Sequence, residues 1–539
     1  MILTNEFDSQ FADAELYELP ALCFQNISSK YWSQPVAFLS KYIDPIFDGS
    51  SMSEYKSFWD GIRKGIQKCR ETGRDDIDNI KKCISDQLAC LQIPAGSSME
   101  DARSICMFII MVELDNFIRA TEDEMKDKEV TACHKNGNGP LNKNFDKDQF
   151  LVYRKEEDSF VARANSDKEN GFRNILTTRY LGDRFNALQI ISKKRLPGKA
   201  IPKAISVHLG EKTKKAAEKL KMVKIAVIPY ISFDTFCFHE VRKRIPVDPG
   251  KPPKNLFYVE YSNEKKLYVE QVVFLLNKAI EAKANIVVFP EFIMSPTMLN
   301  AVKAKLETLN GTEEESLWAV FAGSTYEYDK TTKRGNNVLH ILNNRGIEIG
   351  KYYKFNPFYK DDSAKKAEKK GYVGVSICEL LSDPGKEICF IDIPRIGRIL
   401  PAVCKDAIES NYTIRFAKVF HPSMQIIPAW STSVSSFDSG LCALANQDHV
   451  TSVVCNCCNA VQFGEAKGAI EIGTAYLPKK VEKRMKTEPD SYRRTDECYR
   501  ICKEGSCKDK KTGCIHFIDI NIDEILPSWN IQPGVTFDE

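Results

Sequence analysis

The sequence predicts an α/β domain preceded by a mainly α-helical region. From Met222 onward, short apolar runs alternate with amphipathic helical stretches. Before about residue 130, apolar residues recur instead at helical spacing. Between the two lies a segment rich in lysine. At 539 residues the chain also exceeds one ordinary core, so more than one domain is expected.

In the first region, Tyr55 to Cys69 and Ile77 to Leu91 read as helices. Ser98-x-x-Asp101 resembles a capping box, and Phe108, Met111, Leu114 and Ile118 continue one helical face behind it. The run ICMFIIMV, 105–112, is too short to span a bilayer and reads as a buried helix. HKNGNGPLNKN, 134–144, is a cluster of turn residues and marks a boundary or an exposed loop. From Lys193 to Lys224, eleven Lys or Arg face only Glu211 and Glu218. This reads as a solvated connecting segment, or else as a phosphate or nucleic-acid patch, for which no interleaved aromatic residue speaks.

The α/β pattern then begins. Strands are expected at 224–231, 285–289, 318–323, 338–342, 347–353, 388–393, 398–403, 424–427 and 451–455. Helices are expected at 267–283, 296–309, 408–420 and 437–449.

Composition excludes some functions and leaves others open. With 76 basic against 73 acidic residues, net charge +3, no global charge argues for a nucleic-acid or membrane partner. The N-terminus carries early acids and no apolar signal region, and the 18 cysteines are scattered, so reduced thiols in a cytoplasmic protein are expected.

Three reactive side chains follow predicted strands, where ligands bind in open α/β sheets. Glu291 follows IVVFP, Lys354 follows EIGKYY, and Cys404 follows RILPAV. Each alone has a plain structural explanation: a cap, a solvated edge, a small apolar filler. Together they make a base, a cation and a nucleophile. A carboxylate can take the thiol proton, and an ammonium can stabilise an oxyanion on a carbonyl.

Residues 222 to about 530 resemble the nitrilase, or carbon–nitrogen hydrolase, superfamily. FPEF at 289–292 is similar to the segment that carries the family's base. GIEIGKYYKFNPF at 346–358 is similar to its glycine turn and Tyr-x-Lys. GRILPAVCKDAIE at 397–409 is similar to its strand ending in Cys-x-Asp. AVFAGSTY, Asn336-Asn337, Glu379, IIPAWS with Trp430, and ALANQDHVTSVVCN also match the family's order.

The resemblance implies a four-layer α-β-β-α sandwich and hydrolysis of a non-peptide C–N bond, an amide or as second choice a nitrile. Glu291, Lys354 and Cys404 would be catalytic, working through a thioester. Glu379, Lys405, Asp406 and Trp430 would support them, with Lys405 lowering the thiol pKa. No cofactor is required, the substrate is a small amide, and a homo-oligomer, dimer or larger, is implied. Three positions depart from the family: Asn356 stands where a histidine is common, Lys405 where an aromatic or small residue is, and Ile408 where an arginine is.

The division read from the sequence is a helical domain at 1–150, a basic connector at 151–221 and the hydrolase-like domain at 222–539. The resemblance places a cysteine-rich insertion, about 480–514, inside the family's last hairpin. Its Cys498, Cys502, Cys507 and Cys514 could hold a structural zinc, form disulfides, or sit in a plain loop. Cys455, Cys457 and Cys458 read as packing residues. Rival functions stay open: a degenerate fold serving as scaffold, a nucleic-acid-linked sensor docking through the basic stretch, and a glutamine amidase passing ammonia to a separate partner. Residues 1–221 hold no phosphate-loop signature, so an ammonia-using domain within the chain is not expected; they are a candidate surface for a protein partner.

Overall fold

The computed structural model describes, apart from short gaps, residues 11–126, 150–154, 188–207, 220–229, 237–245, 254–309, 316–361, 376–457, 473–477 and 515–521. The turn cluster at 134–144, Cys458 and the four cysteines of the insertion lie outside them. The chain divides into two compact units, one of Met1–Leu196 with Asn530–Glu539 and the other of Pro197–Trp529.

In the first unit, α1 is Glu18–Gln25, α2 Ser53–Glu71, α3 Ile77–Cys90 and α4 Met99–Lys126. Ser98 caps α4, its Oγ accepting from the Asp101 N–H at 3.0 Å. Ile105 to Val112 are all buried, so the apolar run forms the core of this unit as expected. A strand pair follows, β1 Phe150–Arg154 antiparallel to β2 Leu188–Ser192. Asp115 of α4 accepts from the Leu188 N–H at 2.8 Å and so pins β2 to the longest helix.

The second unit is a mixed α/β structure with three sheets. Its strands are β3 Lys203–Ser206, β4 Met222–Val227, β5 Cys237–Ile245, β6 Lys254–Glu260, β7 Ile286–Val288, β8 Ala319–Asp329, β9 Arg334–Asn343, β10 Glu348–Tyr353, β11 Tyr359–Asp361, β12 Ser376–Glu379, β13 Cys389–Ile393, β14 Gly397–Pro401, β15 Met424–Ala429, β16 Thr451–Asn456, β17 Gly473–Tyr476 and β18 His516–Asn521. The main helices are α5 Lys266–Glu281, α6 Pro296–Glu307, α7 Lys405–Ile408, α8 Thr413–Phe420 and α9 Asp438–Gln447.

One six-stranded sheet runs β10-β9-β8-β7-β4-β18, and the other runs β17-β16-β15-β14-β13-β3. Each has a parallel centre, β4-β7-β8 and β14-β15-β16, in which β7, β14, β15 and β16 are buried along their whole length. A four-stranded sheet, β11-β12-β6-β5, completes the unit.

The structure adds detail to the sequence reading. Within 151–221, read as a basic connector, residues 151–154 lie in β1, β2 pairs with β1, and β3 pairs in parallel with β13. Short apolar stretches such as LQIIS outweigh the surrounding lysines wherever a neighbouring strand edge is available. The cysteine-rich segment, expected inside a hairpin, lies outside the described residues. The strands before and after it join different sheets, β17 beside β16 and β18 antiparallel to β4. The helix expected at 408–420 is two helices, α7 and α8.

Candidate active site

Glu291 sits on a tight turn that β8 holds from below. β7 is buried throughout, and the chain leaves it at Phe289 and Pro290. Phe292 then adopts φ +62°, which a side chain rarely tolerates. The turn is anchored where the Phe292 N–H donates to Ser324 Oγ at 3.0 Å. Gly323 (φ +73°) lets β8 pass so close beneath that a Cβ there would run into the Pro290 carbonyl. Ser295 ends the turn by capping α6, accepting from the Met298 N–H at 3.1 Å.

Lys354 follows β10 directly, and its N–H donates to the Asn337 carbonyl at 2.9 Å. The turn that carries it is fixed by Asp406, which accepts from the Tyr352 hydroxyl (3.0 Å), the Phe355 N–H (3.0 Å) and the Asn356 N–H (2.6 Å). Cys404 stands between β14 and α7 with φ +46° and ψ −105°, a strained conformation for a non-glycine residue. Its N–H donates to the Pro428 carbonyl at 2.8 Å, and Asp406 follows in the next turn. One short segment, 404–406, therefore supplies both the thiol and the carboxylate that orients the lysine's turn.

The four ends converge in a buried network. Lys354 Nζ donates to Glu291 Oε1 at 2.7 Å and to Glu379 Oε2 at 2.6 Å. Asn337 Nδ2 donates to the same pair of carboxylates, Glu291 Oε1 at 2.8 Å and Glu379 Oε1 at 2.9 Å. The Phe358 N–H also donates to Glu379, at 2.9 Å. From the second sheet, the Trp430 N–H donates to Glu291 Oε2 at 3.1 Å, while the Trp430 carbonyl oxygen lies 4.0 Å from Cys404 Sγ. Glu291 lies near enough to the thiol for its charge to act on it.

Burial sets the charge states. It raises the Glu291 carboxyl above the usual range; Lys354 opposes the rise and Glu379 adds to it. Burial alone would lower Lys354, but Glu291 and Glu379 outweigh it and hold the ammonium charged well past its ordinary value. Burial and the nearby Glu291 push the Cys404 thiol well up, with Lys354 opposing, so the resting group is a thiol and not a thiolate. Burial raises Asp406 to about 6. The arrangement can pass a proton between a thiol and a carboxyl beside a fixed cation.

Of the residues picked from sequence, Glu291, Lys354, Cys404, Glu379, Asp406 and the backbone of Trp430 come together. Lys405 does not join them. Its ammonium lies 3.3 Å from the centre of the Tyr359 ring and 3.6 Å from Glu409 Oε1. Burial is the largest influence on the Cys404 thiol, and it raises it. Asn337 went unrecognised as a site residue: its sequence signal was only an asparagine at the start of a strand. The β5–β6 hairpin and its Phe238 were missed altogether, since nothing in 237–260 shows clean two-residue alternation.

No protein-family model matches this chain, and no curated protein matches it. Its structure is similar to Nit3 of Saccharomyces cerevisiae, a member of branch 10 of the nitrilase superfamily: 15% identity, 57% of this chain and 92% of that one, TM-score 0.33. It is similar to the Caenorhabditis elegans NitFhit protein at 13% identity, over 57% of this chain and 62% of that one, TM-score 0.32. It is also similar to a carbon–nitrogen hydrolase from Helicobacter pylori at 12% identity, over 57% and 91%, TM-score 0.30. Among the described residues, no helix is long and apolar enough to cross a membrane, and no group of His, Cys, Asp and Glu is placed to hold a metal.

Proposed function

We propose that the second unit is a thiol-dependent hydrolase of a non-peptide C–N bond, an amide in the first instance. The observation that carries this reading is the double hold on Glu291. Its carboxyl is bound on one side by Lys354 and on the other by the N–H of Trp430, whose carbonyl touches Cys404.

With the thiol protonated at rest, the reaction needs a base at the moment of attack. Glu291 takes the Cys404 proton as sulfur bonds to the amide carbon. The carbonyl π pair moves to oxygen, and Lys354 with the N–H of Lys405 stabilises that anion. Collapse breaks the C–N bond, and Glu291 returns the proton to the leaving amine. A thioester remains. Glu291 then takes a proton from water as the hydroxyl oxygen attacks the thioester carbon. The acid leaves, and the sulfur recovers its proton from Glu291. Glu379 and Asn337 keep Lys354 and Glu291 in place through both halves. The four-layer sandwich belongs to the same reading. It is supported by contacts that cross from one six-stranded sheet to the other, such as the Cys455 thiol donating to the Val288 carbonyl at 3.3 Å.

The test is intact mass after brief iodoacetamide treatment, with and without an amide panel. Wild type should alkylate at one cysteine far faster than at the others. Cys404→Ala should abolish that event, and Glu291→Gln should slow it. Uniform alkylation across the cysteines, with no acyl adduct on Cys404, would refute the proposal.

A further inference from the structure

The sheet β11-β12-β6-β5 connects an aromatic cluster to the reacting groups. β6 pairs in parallel with β12, setting Phe257 beside Glu379, and the Leu380 N–H donates to the Phe257 carbonyl at 2.9 Å. β5 pairs antiparallel with β6 and brings Phe238 over the same region. The Phe238 ring lies 5.4 Å from Phe257, 5.4 Å from Trp430 and 6.4 Å from Phe292. Phe257 is 6.4 Å from Phe358, and Phe292 is 6.3 Å from Trp430. Lys354 Nζ stands 5.7 Å from the Phe292 ring centre.

Exposure falls inward through this cluster. Phe238 and Phe358 are half-buried, whereas Phe292 is 3% exposed and Trp430 and Cys404 are each 5% exposed. The rings therefore grade from half-buried Phe238 and Phe358 to buried Phe292 and Trp430, whose carbonyl oxygen lies 4.0 Å from Cys404 Sγ.

Charge narrows what can follow that route. Two carboxylates, Glu291 and Glu379, share one ammonium, so the ionised network carries a net −1 in a buried place. Lys354 is engaged by both, and Lys405 is engaged by Tyr359 and Glu409. Among the described residues at the site, neither lysine is left to receive a substrate carboxylate. An anion moved into a poorly solvated site of like charge is strongly disfavoured.

We infer that the β5–β6 hairpin is the specificity element of this site, and that the substrate is an uncharged amide whose acyl group carries an aromatic ring. Phe238 and Trp430 receive that ring. The inference rests on the hydrolase reading above and deepens it.

The test uses the full chain and three primary amides: phenylacetamide, acetamide and succinamate, which carries a carboxylate. Ammonia release should give kcat/KM highest for phenylacetamide and lowest for succinamate, with the aromatic amide ahead of acetamide by about tenfold. Phe238→Ala should shrink the phenylacetamide-to-acetamide ratio about tenfold, mainly through KM. Phe238→Leu, which keeps apolar bulk in case the alanine variant misfolds, should shrink it less. Phenylacetamide should also slow Cys404 alkylation at concentrations where succinamate does not. A preference for succinamate, or a ratio unchanged in both Phe238 variants, overturns the inference. So does selective alkylation of Cys404 that phenylacetamide fails to slow. If Cys404 shows no selective alkylation and no amide is cleaved, the hydrolase reading itself fails and the inference falls with it.

Discussion

Replacing Lys354 by Met should unfold the second unit more easily, and in a pH-dependent way. The lysine side chain is 0% exposed and the two carboxylates it binds are 1% and 0% exposed, so solvent screening is absent. Methionine keeps most of the volume and removes the ammonium that, among the described residues, binds both Glu291 and Glu379. Removing one partner of a buried ion pair costs about 3–5 kcal/mol, because the charge left behind has no compensation. Here two like charges remain, still bridged by Asn337. The variant escapes this cost by protonating one carboxyl. Its folded carboxyl pKa then rises above the unfolded value of about 4.3. A group raised in the folded state contributes stability that is present below the unfolded pKa and lost as pH rises through the folded one. The deficit should therefore be full at pH 8 and should shrink towards pH 5. Urea melts of wild type and variant at pH 5, 6.5 and 8, followed by tryptophan fluorescence, measure it. Adding Glu379→Gln to Lys354→Met should recover a large part of the loss at pH 8. A deficit under about 1 kcal/mol at pH 8, or one that grows on acidification, would refute the buried two-carboxylate network.

Two further outcomes follow from the same network. Asn337→Leu removes the bonds that favour the ionised form of both carboxylates. Glu291 should then titrate higher, and the acidic limb of the pH–kcat/KM profile should move up by about one unit; an unmoved limb would remove Asn337 from the network. Asp406 holds its proton up to about pH 6, where the unfolded chain has already released it. Wild-type stability should therefore fall as pH rises from 4 to 6, and Asp406→Asn should flatten that slope in urea melts. The same variant loses acceptor capacity for three donors of the lysine turn, and kcat/KM should drop by about a hundredfold.

Much of the α/β pattern was legible because its signals are local. IVV is an apolar run, and RILP and MQII are mainly apolar, with Arg398 paired to Asp392 and Gln425 buried; strands buried on both faces accommodate them, and Leu267 to Lys283 carries one continuous apolar helical face. Glu291, Lys354 and Cys404 were legible because each follows such a strand. The β5–β6 hairpin was not, because its apolar positions are set by pairing with β12 rather than by a period of their own. Asn337 was not, because an asparagine that opens a strand looks the same whether it caps a turn or bridges two carboxylates.

The sequence by itself determined the main alternation of strands and helices from Met222 onward, the residues at the strand ends and the chemical kinds available there. Those depend on neighbours a few positions apart. Tertiary structure alone decided which of them meet. It joined Glu291 to Trp430 across the two large sheets, divided Lys354 between Glu291 and Glu379, and turned Lys405 away to Tyr359 and Glu409. It also buried the Cys404 thiol, which raises its pKa. A pKa is set by burial and by every charge within a few ångströms, and neither quantity exists until distant strands have packed.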